Sequence, residues 1–398
     1  MKNILLLLCL LAGLAACKKD VATTPVIRQI RNYAPKPGDS LVNTIGPGQW
    51  VVISGSNLKG ALQIYFDGTQ SSFNDALFSD TSAVVLIPSV IAFPLVATGD
   101  LNTIRYVTTH GETTFSFKIA PPAPTIISIS NENANPGDSV RIYGLNFFFI
   151  QNVTYAGTAI THYSGADDGT YIAFIVPPAL SQGGIVSVTT GSGTASTKYN
   201  VNDVETGVLN NFDDINNYSW GASDITNDVT LCPGGRGNYG RLNVTNVGAY
   251  DYAWYNGGRG MNMNGTQWVP VANLGDPVDS WALKVEIYLR TPWSGGTIYM
   301  AKDYSFTYIA RIEPWRNADG SVTTLPASGW ETLTVPLSVF RTNTSTGGDG
   351  TGTSAATLSD LLGSGGSGAL NIWLINPYST TVAAFDASFD NMRVVKIK

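Results

Sequence analysis

The chain repeats itself, and the repeat limits what it can fold into. Pro37-Gly38-Asp39-Ser40 recurs as Pro136-Gly137-Asp138-Ser139, and Val52-Ile53-Ser54-Gly55-Ser56-Asn57-Leu58 recurs as Arg141-Ile142-Tyr143-Gly144-Leu145-Asn146-Phe147. Pro88 matches Pro177 at the offset of the Gly-x-Asn pair, whereas Pro-Gly-Asp matches at a longer offset. The difference places an insertion within residues 41–51, around Gly46-Pro47-Gly48. Such self-similarity marks consecutive copies of one folding unit. Within each copy Pro-Gly-Asp is turn chemistry, with Pro fixing φ and Gly free to take φ > 0. Val140, Ile142 and Gly144 then alternate with the period of a strand that buries one face. Gly55 and Gly144 fall where the backbone bends sharply, and Asn57 and Asn146 can satisfy loose backbone groups there. Each copy reads as a small antiparallel sandwich, over residues 25–119 and 124–201.

Composition agrees with an all-β chain. Only 13% of the 398 residues are charged, while 42 are Gly and 20 are Pro, a mix that disfavours helical bundles and suits short strands joined by tight turns. With 43% apolar residues the chain can bury real cores. The net charge of −6 comes with no basic stripe, which argues against nucleic-acid binding. Two histidines leave little room for His-rich metal sites or His-based catalysis. Ala120-Pro121-Pro122-Ala123-Pro124 is a stiff, extended connector. A second, polar junction runs from Asn200 to Thr206, and residues 204–398 form one further domain.

At the amino end Lys2 precedes an apolar run from Ile4 to Leu14, the layout of a secretory signal too short to span a bilayer. Leu14-Ala15-Ala16-Cys17 resembles the lipobox of bacterial lipoproteins. That resemblance implies cleavage after residue 16, diacylglycerol on the Cys17 sulfur and an acylated new amino terminus, so that two or more chains give stable anchoring in the outer membrane. Residues 17–24 then serve as a tether. Cys232 is the one cysteine left over, so no intramolecular disulfide is expected and each domain needs a full core.

Eight of the nine tryptophans lie beyond Val204: Trp220, Trp254, Trp268, Trp281, Trp293, Trp315, Trp330 and Trp373. The strand from Trp281 alternates, with Leu283, Val285, Ile287 and Leu289 on one side and Lys284, Glu286, Tyr288 and Arg290 on the other. Thr332–Leu337, Leu370–Asn376 and Ser388–Val395 read as further strands, and residues 345–368 as a Gly/Ser/Thr-rich loop with one helical turn at 358–362. Trp281 and Trp330 read as core, Trp220 as packing, and Trp268 is left open. Trp254 sits among Tyr250, Tyr252 and Tyr255 in a glycine-bounded segment, Trp293 lies in the turn Thr-Pro-Trp-Ser-Gly-Gly, and strand parity puts Trp315 with Arg311 and Glu313 on the polar side. These three are the candidate ligand contacts. Tyr304, Tyr308, Arg311 and Asn317 are candidate edge contacts, and Trp373 alternates against Ile372 and Leu374 so as to line a concave face.

The leading motifs of the two repeats, Pro-Gly-Asp followed by the Val-x-Ile-x-Gly-x-Asn-Leu type, resemble the IPT/TIG immunoglobulin-like fold. Such modules act most often as spacers. Asn211-Phe212-Asp213-Asp214 with Trp220, Gly329-Trp330 through Phe340, and Phe389-Asp390-Asn391 through Arg393 look like a carbohydrate-binding β-jelly-roll. The order as a whole resembles the surface glycan-binding lipoproteins of Bacteroidota polysaccharide utilisation loci, the type whose terminal domain binds xyloglucan or a related β-glycan. The longer members have three immunoglobulin-like repeats and this chain has two. The resemblance implies a non-catalytic protein on the cell surface, with a polysaccharide as ligand and a TonB-dependent transporter and its surface glycan-binding lipoprotein as partners. No cofactor is required. Asp213, Asp214, Asp386 and Asp390 bracket the domain, and jelly rolls of this kind often hold a structural calcium on such oxygens; turn capping is the plainer use for the four.

Tryptophan suits a sugar because the axial C–H face of a pyranose is apolar and its hydroxyls lie around the edge. Covering about 80–100 Å² gives about 2–2.5 kcal/mol per ring, from which the cost of immobilising the glycan is subtracted. Two other readings compete. A glycoside hydrolase or lyase on the same fold would need a carboxylate pair about 5–10 Å apart, for which Glu286 and Glu313 are the candidates. An adhesin would bind a protein through the repeats.

Overall fold

The computed structural model describes residues 23–178 and 183–398. The signal peptide, Cys17 and most of the tether lie outside the described residues. The described residues are built of β-sandwiches, gathered into two compact units that divide between Pro122 and Ala123.

In the first unit Trp50–Ser56 pairs with Val26–Asn32 on one side and Ser82–Leu86 on the other. A second sheet orders Thr69–Gln70, Ala61–Phe66, Thr103–Thr108 and Gly111–Ser116. Val51, Ile53, Ile64, Phe66, Val85 and Tyr106 fill the space between them. The second repeat has the same plan, with Ser139–Leu145 between Thr125–Ile129 and Tyr171–Ile175, and Ile150–Tyr155 beside Ser187–Thr190. The repeat motif has one cause in both. A Cβ on Gly55 would lie 1.8 Å from the Val26 carbonyl oxygen, and one on Gly144 2.0 Å from that of Thr125. The neighbouring strand bulges there, between Ile27 and Gln29 and between Ile126 and Ser128, so only glycine allows the approach. Asn57 and Asn146 follow in the left-handed region, at φ 58° and 62°, and their amides donate to the Thr24 and Ala123 carbonyls at 3.1 Å.

The terminal domain packs two six-stranded sheets face to face. One carries Asp224–Thr226, Tyr239–Val247, Val382–Lys396, Trp281–Leu289 and Trp330–Pro336 in order, with Val208–Asn210 also on the long strand Val382–Lys396. The other runs Tyr218–Trp220, Gly260–Met263, Leu370–Ile375, Thr297–Lys302, Ile309–Ile312, Phe340–Arg341. Leu283, Val285, Ile298, Met300, Ile372, Leu374 and Phe389 interdigitate between them. The helical turn expected at 358–362 forms as Leu358–Leu362, and the Thr357 hydroxyl and Asp360 carboxylate make a capping box.

The polar side of Trp281–Leu289 does not face water. It is covered by the second repeat, which is why that repeat and the terminal domain share one unit. Glu132, fully buried, accepts from Lys284 Nζ at 2.6 Å and Arg393 Nη2 at 2.8 Å, and from the Tyr199 hydroxyl at 2.7 Å. Lys284 and Arg393 are register partners on adjacent strands and are each 1% exposed. Burial works against the Glu132 charge, but the two cations outweigh it and hold its carboxyl below the usual range. Arg393 Nη1 also donates to the Asn200 and Asp203 carbonyls, and Arg236 reaches Asn135, Asn202 and the Ala134 carbonyl. The spacer reading thus needs correcting for the second repeat, one end of which is built into the terminal domain.

Beside this triad the next register pair is Glu286 opposite Asp390. The Asn391 amide donates to Glu286 Oε2 at 2.6 Å and to Asp390 Oδ2 at 3.2 Å. Burial pushes both carboxyls up, and at Asp390 the neighbouring Glu286 adds to it.

Candidate functional site

The outward side of the second sheet is also apolar. Strand parity sends Ile298, Met300, Ile372 and Leu374 into the core, and Tyr299, Ala301, Trp373 and Ile375 to the opposite face, where Ile309 joins them in a second buried cluster. Such a floor is buried only because something lies over it. Trp254, from the loop between Tyr239–Val247 and Gly260–Met263, stacks on Trp373 with ring centroids 4.2 Å apart and planes 18° apart. Phe306 lies 5.2 Å from Trp373 at 27°. Trp220 and Tyr304 flank Trp254 at 6.1 Å each, and the Trp220 indole donates to the Tyr304 hydroxyl at 3.2 Å.

The framework that holds these rings is polar and buried. Asn262 accepts from the Trp373 indole at 2.9 Å and from the Asn371 amide at 3.0 Å. Asn371 in turn accepts from the Tyr304 backbone at 2.7 Å. Gly260 leaves room for the stack, since a Cβ there would meet Trp373 Cδ1 at 3.1 Å. Tyr250 and Tyr304 sit in the left-handed region at φ 54° and 56°, a conformation that costs a bulky residue energy and is retained where the surroundings impose it.

The result is an aromatic face. Among the described residues of the terminal domain, the exposed aromatic side chains are Trp220, Tyr250, Tyr252, Tyr255, Tyr304 and Phe306, and all lie on the three segments that carry this cluster. Its polar end is formed by Arg311, which donates to Glu313 at 2.8 Å and to the Tyr378 hydroxyl at 2.7 Å. Thr297 donates to the same Glu313 oxygen at 2.6 Å.

Of the expected contacts, Trp254, Tyr304 and Trp373 are brought together, with Arg311 at the polar end. Trp373 lines the face as its parity implies, but Trp254 and Phe306 cover it completely. Trp293 and Trp315 are corrected: each is 3% exposed, in the main core. Both indoles donate to the Gly296 carbonyl, at 3.1 and 2.8 Å, so the glycine turn that suggested exposure folds over them instead. Tyr308 packs against the main core, and Asn317 closes an exposed hairpin with Ser321. Trp268, left open, is core, as is Trp281. Trp220, read as packing, belongs to the face, and Phe306 and Tyr255 were not singled out as contacts.

The four bracketing aspartates occupy separate settings. Asp386 pairs with Arg241 at 2.6 Å and Arg290 at 3.4 Å. Asp213 accepts from Asn238, Asp214 is exposed, and Asp390 is buried beside Glu286. Among the described residues no three His, Cys, Asp or Glu side chains gather as a metal site requires. Glu286 and Glu313 belong to opposite sheets, and Glu286 is shut in the joint with the second repeat, which removes them as a hydrolytic pair.

A β-sandwich that presents a framed aromatic face on one sheet is a carbohydrate-binding architecture. Residues 201–396 match the family model for the surface glycan-binding protein B xyloglucan-binding domain. That match spans the terminal domain, just under half of the chain, and places this domain with the xyloglucan-binding domains of surface glycan-binding proteins. An IPT/TIG domain-containing protein of Bacteroides ovatus is 28% identical over 212 residues, 50% of this chain and 43% of the relative, so the match spans less than half of that relative's length. Surface glycan-binding protein B from Prevotella bryantii has the same fold, with a TM-score of 0.70 at 21% identity over 94% of this chain and 99% of that one. A surface glycan-binding protein B from a complex xyloglucan utilization locus in Bacteroides uniformis gives 0.50 at 18% identity, with the same coverage.

Proposed function

We propose that the chain captures a β-glycan of the xyloglucan, mixed-linkage glucan or mannan type on the Trp220–Trp254–Tyr304–Phe306 face, without catalysis. The observation that carries this is that four exposed aromatics, Trp220, Tyr255, Tyr304 and Phe306, pack around the stack of Trp254 on the buried Trp373. Exposed rings of this kind form an apolar patch that water penalises and a pyranose C–H face can cover. The family description and the xyloglucan locus of the Bacteroides uniformis relative support the choice of ligand. No cofactor enters the reading, since stacking and edge hydrogen bonds supply the affinity.

In this reading Cys17 carries the lipid that fixes the protein to the outer membrane, with the sandwiches facing outward. A TonB-dependent transporter and a companion glycan-binding lipoprotein receive what it holds. Many tethered copies on one polymer compensate for weak single sites. Affinity electrophoresis of the full chain against a polysaccharide panel, with reducing-sugar release measured in parallel, tests the proposal. Retardation by a β-glycan without sugar release is expected. Release of reducing ends would make it an enzyme, and retardation by no polysaccharide would favour an adhesin.

A further inference from the structure

Beyond the polar end of the aromatic face lies a cavity of about 620 Å³. Three segments enclose it: the turn at 291–296, the hairpin that follows Trp315, and the turn at 376–384. Tyr378 is the shared wall, since its ring lines the cavity while its hydroxyl binds Arg311 and Glu313. The turn is rigid: the Asn376 amide donates to the Gly248 and Thr380 carbonyls at 2.8 Å each, and its oxygen accepts from the Tyr378 backbone.

The lining combines the Tyr378 ring, which packs edge-on against the buried Trp315, with the hydroxyls of Ser294 and Thr380 and one cation, Arg316. No carboxylate lines it. The Arg316 guanidinium sits 4.7 Å over the Tyr378 ring, and among the described residues it forms no ion pair. Asp319, on the same hairpin, turns its carboxylate onto Ser321 instead, and Glu313 is taken up by Arg311, Thr297 and Tyr378. An arginine held over a ring can still turn its N–H fork outward, where it matches a carboxylate. The Tyr378 ring and the hydroxyls around it suit a pyranose.

We propose that this cavity is a second saccharide subsite, for a sugar that bears a carboxylate, with Arg316 as the anion contact. It rests on the reading of the domain as a glycan binder, but not on the aromatic face. A glycan with uronic acid units could then be held at both places, and neutral glycans at the face alone.

The test is calorimetric titration of the full chain at low salt with sodium glucuronate and, separately, with glucose and a neutral β-glucan oligosaccharide. Glucuronate should bind at least tenfold more tightly than glucose. Arg316→Gln should abolish that difference and leave the neutral oligosaccharide within twofold of the parent chain. Trp254→Ala should do the reverse. Equal binding of glucuronate and glucose, or preference retained in Arg316→Gln, overturns the subsite. Neutral binding that survives Trp254→Ala would overturn the aromatic face and leave the cavity standing.

Discussion

Replacing Glu132 with alanine should loosen the joint between the second repeat and the terminal domain. Glu132 is the sole acceptor that Lys284 and Arg393 share, and both cations are 1% exposed. Removing one partner of a buried ion pair leaves charge without compensation and costs about 3–5 kcal/mol. Here two cations are stranded, 2.6 and 2.8 Å from the lost oxygens, so the upper part of that range applies. A domain of about this size loses about 2–4 °C in Tm per kcal/mol, so about 4–5 kcal/mol gives a fall of about 8–20 °C. Differential scanning calorimetry of the full chain measures it, and the transition of the first unit, which has its own core, should stay in place as an internal reference. Glu132→Gln keeps one acceptor and should fall between. A triple variant with Lys284→Met and Arg393→Leu should recover most of the loss, because it removes the stranded charges. An alanine variant melting within 2 °C of the parent chain would refute the argument that this triad holds the joint.

Trp254→Ala removes the ring that covers Trp373, and losing about 80–100 Å² of sugar contact at about 25 cal/mol/Å² should weaken β-glycan binding by about 30- to 70-fold, read by isothermal titration. Trp293→Ala and Trp315→Ala should instead cost about 3–5 kcal/mol of stability by leaving core cavities, while affinity for a neutral β-glycan, measured well below the new Tm, stays unchanged. The opposed pair Glu286 and Asp390 gives a pH signature. Their folded pKa values are raised, so the folded state keeps protons that the unfolded chain releases, and stability falls as pH rises from about 4 through the folded values. Glu286→Gln should flatten that fall and melt higher than the parent chain at pH 8. Glu132 has the opposite sign: its depressed pKa lends stability above about pH 4 that is lost as acid protonates it.

The two repeats were legible because their motif residues answer to local geometry. Gly55 and Gly144 are demanded by a strand bulging within 2 Å of where a side chain would start, and Asn57 and Asn146 by the left-handed turn that follows. The tryptophans were less legible. Trp254 could be read because tyrosines and glycines surround it in sequence. Trp293 and Trp315 could not, since the Gly296 carbonyl turns back to accept from both indoles, and a glycine turn beside Trp293 reads equally well as exposed or as folded inward. The strand also ends at Ile312, so the parity that had placed Trp315 beside Arg311 does not extend to it. Trp220 lies on a three-residue strand with a register irregularity, where alternation carries little information. Lys284 and Glu286 alternate as a polar side should, and nothing within a strand says that another module will close over that side.

That closure decides where the polypeptide can be cut. A biochemist trimming the gene to a minimal sugar-capturing reagent would naturally cleave near residue 204, at the polar junction. Doing so would strip away Glu132 and Tyr199 and open the paired strands bearing Lys284 and Arg393 to solvent. The smallest transplantable piece starts at Ala123, within the proline-rich connector, and takes the second immunoglobulin-like module along as its base.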